Sequence, residues 1–500
     1  MPKSPGFLMR AALLAAAAVF LGSCAGLGDT GAAETRQPNI IVILADDLGY
    51  GDTSTYGGTI PTPHLDALAA SGVRFTSGYV PAAVCAPSRA ALLSGRQQTR
   101  FGFEFNPVGR DELTGLPLGE TTIAQVMKLA GYVTGIVGKW HIGQAAGFHP
   151  LDRGFDSFFG VLGGATDFIT RPAEGDIAAA IPGDNLTVRA RFPISRGREI
   201  VEEPRYLTEA FTEEARGFIR ANQDKPFFLY LAYTAPHTPL QATKVYADRF
   251  PDIASPYQRT YAAMVSSLDD GVGGIMAELR AQGLERDTVV IFLSDNGCAS
   301  YIRGGCTNRP LEAGKGTPWE GGVRVPFIMS APGRIPAGVV EDRPVSSLDI
   351  MTTAARLAGA RAPAKAEGGD LVAALTTARD KPVHDALFWR MGPNHAIREG
   401  RWKLIVVNKS DTIQDLDKVY GQPVPDGIPA TVGPLGQWVL LFDLEADPGE
   451  TRDLAAQHPE VVQRLSARFD TWNALNVDPI FTSRRQFHSV IGERRVQLFN

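Results

Sequence analysis

The sequence lacks an excess of basic residues, a long apolar segment and a large number of cysteines. Its 500 residues include 49 Lys and Arg against 54 Asp and Glu, which gives a formal net charge of −5. Nucleic-acid-binding proteins carry a basic surface, so we expect no nucleic-acid partner. The 53 glycines follow no three-residue period, which excludes a collagen-like fibre. A hydrophobic content of 44% and a charged content of 21% are typical of a soluble globular protein.

The N-terminus contains a short apolar run that we interpret as a signal peptide. Lys3 and Arg10 precede residues 11–22, which carry no charge and are rich in Ala and Leu. This run is too short for a membrane span, which needs about 20 residues, but it suits a secretory signal. It ends in Leu21-Gly22-Ser23-Cys24, and small residues before a cysteine resemble the cleavage site of bacterial lipoproteins. An ordinary signal peptide with an unrelated cysteine is the alternative.

The lipoprotein interpretation predicts where the protein resides. Cleavage before Cys24 would remove residues 1–23 and leave a lipid on Cys24 as the membrane anchor. No other stretch reaches about 18 apolar residues, so we expect the lipid to be the only membrane contact. No Asp follows Cys24 to retain the protein at the inner membrane. We therefore expect an exported lipoprotein of the periplasm or cell surface, anchored in the outer membrane.

Three further cysteines follow, and two of them are close in sequence. Cys298 and Cys306 flank a Gly-containing segment, where they could form a local disulfide in an exported protein or remain two free thiols. Cys85 then has no partner, and a leftover cysteine in an exported protein requires an explanation.

Continuous apolar runs alternate with helical patterns along most of the chain. Four runs have the composition of strands buried on both faces: Asn39–Ala45, Val133–Val137, Phe227–Ala232 and Val289–Leu293. Helical patterns occupy residues 121–129 and 261–279. This alternation predicts an α/β fold with a mostly parallel sheet. Residues 160–205 lack a clear period and contain several Gly and Pro, so we expect a long loop there.

The composition divides the chain into four parts. We predict a signal peptide over residues 1–23, a tether over 24–37, a main domain over 38–380 and a smaller α+β domain over 381–500. The boundary lies where the composition turns to Ala, Gly and Lys, near residues 360–383. Beyond it, strand-like runs occur at 386–389, 402–407 and 438–442, and a helical pattern occurs at 459–475.

Two of the apolar runs end in pairs of oxygen-bearing side chains. Asp46 and Asp47 follow the first run, and Asp295 and Asn296 follow the last. Ligands of open parallel sheets bind beyond the carboxyl ends of the strands, so these side chains would meet at one edge. Carboxylate and amide oxygens suit Ca²⁺ or Mg²⁺ rather than zinc. Taken alone, each pair could instead cap a following helix.

The other candidate residues are basic side chains and a cysteine. The second run leads into Lys139-Trp140-His141, and the third leads into Pro236-His237. Cys85 stands two residues before Pro87, and proline suits the first turn of a helix. Cys85 would then lie at a helix N-terminus, where the helix dipole favours negative charge. This placement indicates a reactive cysteine, with a buried inert cysteine as the alternative.

Two long motifs resemble the signatures of the type I sulfatases. The first is Cys-x-Pro-Ser-Arg followed by Leu-Leu-Ser-Gly-Arg, at residues 85–96. The second is Gly-Tyr-Val-Thr-Gly-Ile-Val-Gly-Lys-Trp-His-Ile-Gly, at residues 131–143. The resemblance covers nearly the whole chain after the signal peptide and includes residues 39–52, 236–239, 294–297, 314–322, 398–403 and 441–450.

The resemblance implies a fold and a reaction. The fold would be alkaline-phosphatase-like, a large mostly parallel mixed sheet between helices, with a smaller C-terminal α+β domain that carries an antiparallel sheet. The reaction would be hydrolysis of an aryl or carbohydrate sulfate monoester through a covalent sulfated enzyme. A maturation enzyme would oxidise Cys85 to formylglycine, which serves as the nucleophile. Ca²⁺, with Mg²⁺ as the alternative, would bind a sulfate oxygen.

The resemblance also implies a role for each matching residue. The metal ligands would be Asp46, Asp47, Cys85, Asp295 and Asn296. Asp295 would also be the base for the attacking hydroxyl. The other catalytic residues would be Arg89 beside the formylglycine, Lys139 and Lys315 on the sulfate oxygens, His237 on the sulfate and leaving oxygen, and His141 as acceptor of the proton whose loss releases sulfate.

Two other functions compete with sulfate ester hydrolysis. Related formylglycine enzymes hydrolyse phosphate or phosphonate esters, and a non-catalytic lipoprotein of this fold would bind polysaccharide. Two lysines together with His237 favour a sulfate monoester. Fold and motifs do not identify the substrate, which loops at residues 98–118, 160–205 and 300–315 are expected to select. The predicted export favours a sulfated polysaccharide.

Overall fold

A computed structural model describes residues 37–107, 114–179, 192–299, 305–411, 432–483 and 486–499. The predicted signal peptide, Cys24 and all but the last residue of the predicted tether lie outside these ranges. The described residues belong to one compact unit. No helix among them is long and apolar enough to cross a membrane.

A ten-stranded sheet forms the centre of the fold, in the order β13-β2-β12-β11-β1-β9-β4-β5-β7-β8. The strands of the described residues are β1 (Asn39–Ala45), β2 (Val73–Phe75), β3 (Gly78–Tyr79), β4 (Val133–Lys139), β5 (Ser157–Val161), β6 (Ile177–Ala179), β7 (Ile194–Arg196), β8 (Glu199–Ile200), β9 (Phe227–Ala232), β10 (Leu240–Ala242), β11 (Thr288–Ser294), β12 (Phe327–Ser330), β13 (Val339–Glu341), β14 (Val345–Ser346), β15 (Leu387–Met391), β16 (Asn394–Glu399), β17 (Trp402–Asn408), β18 (Gln437–Asp443), β19 (Gln486–Ile491) and β20 (Arg494–Phe499).

Helices cover both faces of this sheet. The α-helices of the described residues are α1 (Pro63–Ala70), α2 (Cys85–Ser94), α3 (Ile123–Leu129), α4 (Leu207–Ala221), α5 (Lys244–Ala247), α6 (Pro256–Ala281), α7 (Glu320–Val323), α8 (Asp349–Leu357), α9 (Leu371–Thr376) and α10 (Pro459–Asn473). Short 3-10 helices occur at Ser54–Tyr56, Gln98–Phe101, Pro150–Asp152 and Glu285–Asp287.

Strand β1 is apolar throughout because both of its faces are buried. Ile41 and Ile43 pack in one core with side chains of α4 and α6. Ile40 and Val42 pack in a second core with side chains of α2, α3 and α8. Successive side chains of a strand point to opposite faces, so a strand between two cores needs apolar residues at every position. The predicted α/β fold with a mostly parallel sheet is confirmed.

The central strands run parallel, which places their carboxyl ends at one edge of the sheet. Strand β1 pairs in parallel with both β11 and β9, and β9 pairs in parallel with β4. Ala45 stands opposite Ser294, and Leu44 and Gly138 both stand opposite Ala232. The polar residues that follow these strands therefore start from neighbouring positions.

The expectation of a long loop over residues 160–205 is wrong for part of that segment. Strand β5 ends within it, β7 pairs antiparallel with β5, and β8 pairs antiparallel with β7 at the edge of the central sheet. Strand β6 pairs with β10. Strands β6, β7 and β8 contain only two or three residues, too few to produce a recognisable period of two.

The C-terminal part contains a four-stranded antiparallel sheet of β15, β16, β17 and β18. One face packs against α10, for example through Leu404 and Leu465. The other face packs against the main part of the chain, where Ile405 shares a core with Tyr79 and Trp319. Strands β15, β17 and β18 and helix α10 match predicted elements, whereas the sequence analysis did not identify β16. The domain boundary near residue 380 stays a prediction.

Candidate active site

The carboxyl ends of the central strands bring the predicted polar residues together. Asp46 and Asp47 follow β1, Asp295 follows β11, and Lys139 is the last residue of β4. The N–H of Asp295 donates to the carbonyl of Ala45 (3.0 Å), and the N–H of Asp47 donates to Oδ1 of Asp295 (3.2 Å). All four side chains are buried. Sheet register thus joins residues that are 248 positions apart.

Cys85 is the first residue of α2 and is almost fully buried. Its Sγ lies 3.6 Å from Oδ1 of Asp46, 3.8 Å from Oδ1 of Asp47 and 3.1 Å from Nζ of Lys315. Burial raises the pKa of the Cys85 thiol above its usual range. The unmodified side chain is therefore a neutral thiol and a weak nucleophile at neutral pH.

Arg89 and Lys139 neutralise two of the carboxylates. Nζ of Lys139 lies 2.7 Å from Oδ2 of Asp46. Arg89 donates from Nε to Oδ2 of Asp295 (2.9 Å) and from Nη1 to the carbonyl of Lys139 (3.0 Å). Its Nη2 lies 3.5 Å from Oδ1 of Asp46. Burial disfavours the charged guanidinium, but Asp295 and Asp46 outweigh it and raise the pKa of Arg89. Arg89 thus holds the carboxylates around Cys85 in place.

Lys315 reaches the same cluster from the glycine-rich segment after the cysteine loop. Its Nζ lies 2.7 and 2.8 Å from the two carboxylate oxygens of Asp47. The backbone N–H of Lys315 donates to the carbonyl of Cys298 (3.0 Å). The next N–H, of Gly316, donates to the carbonyl of Ala83 (2.8 Å), two residues before Cys85. These bonds connect the Lys315 segment to the segment that precedes α2.

The two histidines differ in their contacts. His237 Nδ1 lies 2.6 Å from the carbonyl of Thr238, and its Nε2 lies 3.6 Å from Oδ2 of Asp47. A carbonyl only accepts, so Nδ1 of His237 carries a proton. His141 follows β4 with a positive φ of 63°, and its Nδ1 is buried without a hydrogen-bond partner. Burial lowers the pKa of both rings, to about 3 for His237, so both are neutral at neutral pH.

The donor set fits a hard cation. Asn296 is fully buried, and its Nδ2 donates to Oδ1 of Asp47 and to the carbonyl of Gly297 (both 2.8 Å). The side-chain oxygen Oδ1 of Asn296 has no hydrogen-bond partner. A buried amide oxygen left unsatisfied beside carboxylates is suited to coordinate a cation. Ligand atoms of four residues lie within 4.8 Å of one another: Asp46, Asp47, Cys85 and His237. Asp295, a predicted ligand, is not in that group.

Comparison with known proteins identifies the family. The family model "Sulfatase" matches residues 38–360. The chain belongs to the sulfatase family. It is 36% identical to arylsulfatase A of Homo sapiens over 463 residues, covering 87% of each chain. It is 35% identical to N-acetylgalactosamine-6-sulfatase of Canis lupus familiaris over 481 residues, covering 89% of this chain and 87% of the relative.

Solved structures share the architecture of this protein. Ps i-CgsB superposes with a TM-score of 0.75 at 33% identity, covering 89% of this chain and 94% of that chain. The same protein in complex with k-i-k-neocarrahexaose gives a TM-score of 0.75 at 32% identity. The alkaline-phosphatase-like fold implied by the motifs is therefore confirmed, and the chain is an enzyme of the sulfatase class.

The carboxylates of this sulfatase have unequal proton affinities. Burial acts to raise the pKa of Asp47, but Lys315, His237 and Lys139 outweigh it and hold that pKa below its usual range. Burial, with the nearby charge of Asp46, raises the pKa of Asp295 to about 6. Crowded carboxylates of this kind repel one another, and a divalent cation among them would relieve the repulsion.

Two supporting residues of the sulfatase site were missed in the sequence analysis. Asp52 is buried and accepts hydrogen bonds from two backbone N–H groups and from the hydroxyl of Tyr261 (2.6 Å). The same hydroxyl of Tyr261 lies 3.2 Å from the carbonyl oxygen of Asp47. Asn106 accepts through Oδ1 from the N–H of Ala86 (3.0 Å) in the first turn of α2. Asp52 is the last residue of the matching segment 39–52, but its long-range partners Tyr261 and Thr307 are not visible in that segment. Nothing in the local sequence of Asn106 distinguishes it.

The local cysteine pair is a disulfide in this sulfatase. Cys298 and Cys306 are bonded, with their Cα atoms 6.1 Å apart. The backbone of Cys298 donates to Oδ1 of Asn308 (2.9 Å) and accepts from Lys315. The disulfide therefore closes a short loop within the stretch of chain that connects Asn296 to the Lys315 segment. Cys85 is left as a free cysteine among the described residues.

Proposed function

We propose that this sulfatase is a formylglycine-dependent, calcium-assisted hydrolase of sulfate monoesters. One observation carries the proposal: Cys85 starts a buried helix directly against Asp46, Asp47 and Lys315. A thiol with a raised pKa is a poor nucleophile there, which supports conversion to another group. A separate maturation enzyme would carry out the oxidation of Cys85.

Two groups would complete the site. Asp46, Asp47, Asp295 and Asn296 would hold Ca²⁺, or Mg²⁺ in its place, and the cation would withdraw charge from a sulfate oxygen. Formylglycine at position 85 would supply a hydroxyl nucleophile from its hydrated aldehyde. The unsatisfied Oδ1 of Asn296 and the three carboxylates support the cation in this position.

Lys139 and Lys315 would bind the sulfate oxygens. Their ammonium groups pair with two different carboxylates of the cluster, Lys139 with Asp46 and Lys315 with Asp47. Both lysines are nearly excluded from water, so their charges act at low dielectric on negative charge that develops in the transition state. Arg89 would hold Asp295 as the base that takes the proton of the attacking hydroxyl.

The two histidines would handle the remaining protons. The buried Nδ1 of His141 has no partner, and the low pKa of this ring leaves it neutral and able to accept a proton. His237 would donate to the leaving oxygen from Nε2 once protonated. Asp47, 3.6 Å from that nitrogen, would stabilise the charged ring.

A sulfated carbohydrate is the substrate class that we favour. The relatives include an N-acetylgalactosamine-6-sulfatase, and a solved neighbour holds k-i-k-neocarrahexaose. Lipid attachment at Cys24 would place the enzyme at the outer membrane, where sulfated polysaccharide is met first. Activity on simple aryl sulfates with none on any sulfated sugar would exclude this class.

Mass spectrometry of the peptide that contains Cys85 tests the mechanism. The protein is produced in a host with a maturation system, beside a known sulfatase as a positive control. We expect formylglycine at position 85, calcium-dependent turnover of nitrophenyl sulfate, and loss of turnover in Cys85→Ala. A plain thiol at position 85 while the control sulfatase matures would contradict the proposal. Faster turnover of nitrophenyl phosphate or phosphonate esters would instead favour the alternative reaction.

A further inference from the structure

A buried cluster of charged side chains lies between the C-terminal sheet and α7. Lys403 of β17 is fully buried, and its Nζ lies 2.8 Å from Oε1 of Glu320 and 3.0 Å from Oε1 of Glu450. Oε2 of Glu320 accepts from the hydroxyl of Tyr79 (2.6 Å) and pairs with Arg324 (3.2 Å). We call these five residues the Lys403 cluster. None of them has a role in the proposed chemistry.

A single ammonium group holds two neighbouring carboxylates in this cluster. Oε2 of Glu450 accepts from the backbone N–H of Glu320 (2.6 Å), so the two acids are adjacent. Burial acts to raise the pKa of Glu320, but Lys403 and two arginines outweigh it and bring that pKa to about 2. Among the described residues, Lys403 makes the only ion pair of Glu450. Burial raises the pKa of Glu450 to about 7 even though Lys403 acts to lower it. Loss of Lys403 would therefore leave beside the ionised Glu320 either an unpaired carboxylate or a protonated acid, and in both cases Glu320 would lose its ammonium partner.

The cluster is connected to the predicted cation ligands through α7. Glu320 is the first residue of α7, and the carbonyl of Gly322 in the same turn accepts from the N–H of Gly297 (3.1 Å). Gly297 directly follows Asn296. A Cβ added to Gly297 would lie 1.7 Å from the carbonyl oxygen of Gly321, so the two backbones are in direct contact. A shift of α7 would therefore displace Asn296.

The same turn also supports the segment that carries Lys315. The N–H of Gly321 donates to the carbonyl of Glu312 (2.9 Å), three residues before Lys315. A Cβ added to Gly322 would lie 2.1 Å from the carbonyl oxygen of Thr317, two residues after Lys315. The segment is thus packed against α7 on both sides of Lys315.

We propose that Lys403 is a positioning residue for the active site, because it holds Glu320 and thereby fixes the turn that places Asn296 and Lys315. The inference rests on the proposed function, since it concerns the same cation ligand and the same sulfate-binding lysine. Lys403 acts on Asn296 and Lys315 through its contact with Glu320 at the start of α7.

The replacement Lys403→Met tests the proposal, because methionine keeps a similar length without the charge. Outer residues that orient metal ligands typically change metal affinity or activity by about 10- to 100-fold, and we expect a loss in that range for both calcium affinity and kcat/KM. Calcium affinity is measured by titration calorimetry on folded protein, and turnover is measured with nitrophenyl sulfate. A variant that loses only thermal stability, with unchanged calcium affinity and kcat/KM, would overturn the proposal.

A double replacement separates electrostatics from packing. Adding Glu450→Gln to Lys403→Met removes the unpaired carboxylate but keeps an acceptor for the N–H of Glu320. We expect this pair to recover only part of the lost calcium affinity, because it removes the second carboxylate but leaves Glu320 without Lys403 and, among the described residues, paired only with Arg324. Full recovery in the double variant would contradict the proposal, because it would show that Glu320 and its turn do not need Lys403. Lys409→Met, in a half-buried lysine 4.6 Å from the ring of Trp438, is the matched control and should match the wild type.

A milder variant decides the question if Lys403→Met does not fold. Tyr79→Phe removes the hydroxyl that donates to Glu320 and accepts from Nη1 of Arg398, and it should lower calcium affinity in the same direction while the ring keeps its packing. Unchanged calcium affinity in this variant would overturn the proposal. The two proposals can fail separately. If the wild type hydrolyses no sulfate ester but its calcium binding still depends on Lys403, the proposed function is refuted and the positioning role is supported.

Discussion

Lys315 contacts both carboxylate oxygens of Asp47, at 2.7 and 2.8 Å, although 268 residues separate the two in sequence. The same ammonium group lies 3.1 Å from Sγ of Cys85. One side chain thus touches both the predicted cation cluster and the predicted nucleophile. In the proposed mechanism, Lys315 lies where negative charge would accumulate during attack on sulfur.

Lys315→Met should lower kcat/KM for a sulfate ester by about 100-fold or more, since it removes the charged group that the proposed mechanism assigns to the transition state. Steady-state kinetics on nitrophenyl sulfate measure the effect. Lys381→Met, at an exposed lysine, serves as the control and should leave kcat/KM unchanged. A value for Lys315→Met within about threefold of the wild type would remove Lys315 from the catalytic group.

The proposed calcium site predicts that Asn296→Ala weakens the stabilisation of the protein by added calcium. A ligand at about 100 times its Kd stabilises a protein by about 2.7 kcal/mol, and the variant loses the buried Oδ1 that has no other partner. Thermal unfolding with calcium and with EDTA measures the difference. Asn222→Ala, at the C-terminal end of α4, is the control and should retain the wild-type response. Equal calcium shifts in both variants would exclude Asn296 as a ligand.

Replacement of Cys298 and Cys306 by alanine should lower the free energy of unfolding by about 2 kcal/mol, because the disulfide closes a short loop of the unfolded chain. Urea denaturation with and without a reducing agent measures this change. The reducing agent should destabilise the wild type and have no effect on the double variant. A wild type whose stability is insensitive to reduction would contradict the prediction.

His384 should make stability depend on pH. The Nε2 atom of His384 lies 2.8 Å from Oδ1 of Asp349. Burial acts to lower the pKa of the His384 ring, but the negative charge of Asp349 outweighs burial and raises that pKa. A raised pKa in the folded state means a stabilisation that is fully present below the unfolded pKa, near 6.5. That stabilisation is lost as pH rises through the folded pKa.

Urea denaturation across this pH range measures the contribution of His384. His384→Gln should flatten the decline in stability above the unfolded pKa. An identical pH profile for the wild type and His384→Gln would show that the pair with Asp349 contributes no pH-dependent stability.

The central strands could be predicted because their environment imposes a local pattern. Strand β1 lies between two cores, so every position from Ile40 to Ala45 must be apolar, and the run is visible without any knowledge of its partners. Strands β7 and β8 could not be predicted, since two or three residues carry no period. Their pairing depends on β5, which lies more than thirty residues earlier.

The sequence by itself determined which groups are the candidates for the chemistry: the Cys85 motif, the acidic pairs after buried runs, and the segments that contain Lys139, His237 and Lys315. Only the tertiary structure decided which of these groups are neighbours. The contact of Lys315 with Asp47 and the burial of Lys403 between two glutamates both join distant segments. Strand order, register and the packing of the C-terminal sheet set such distances, and none of these is encoded in the spacing of residues along a single segment.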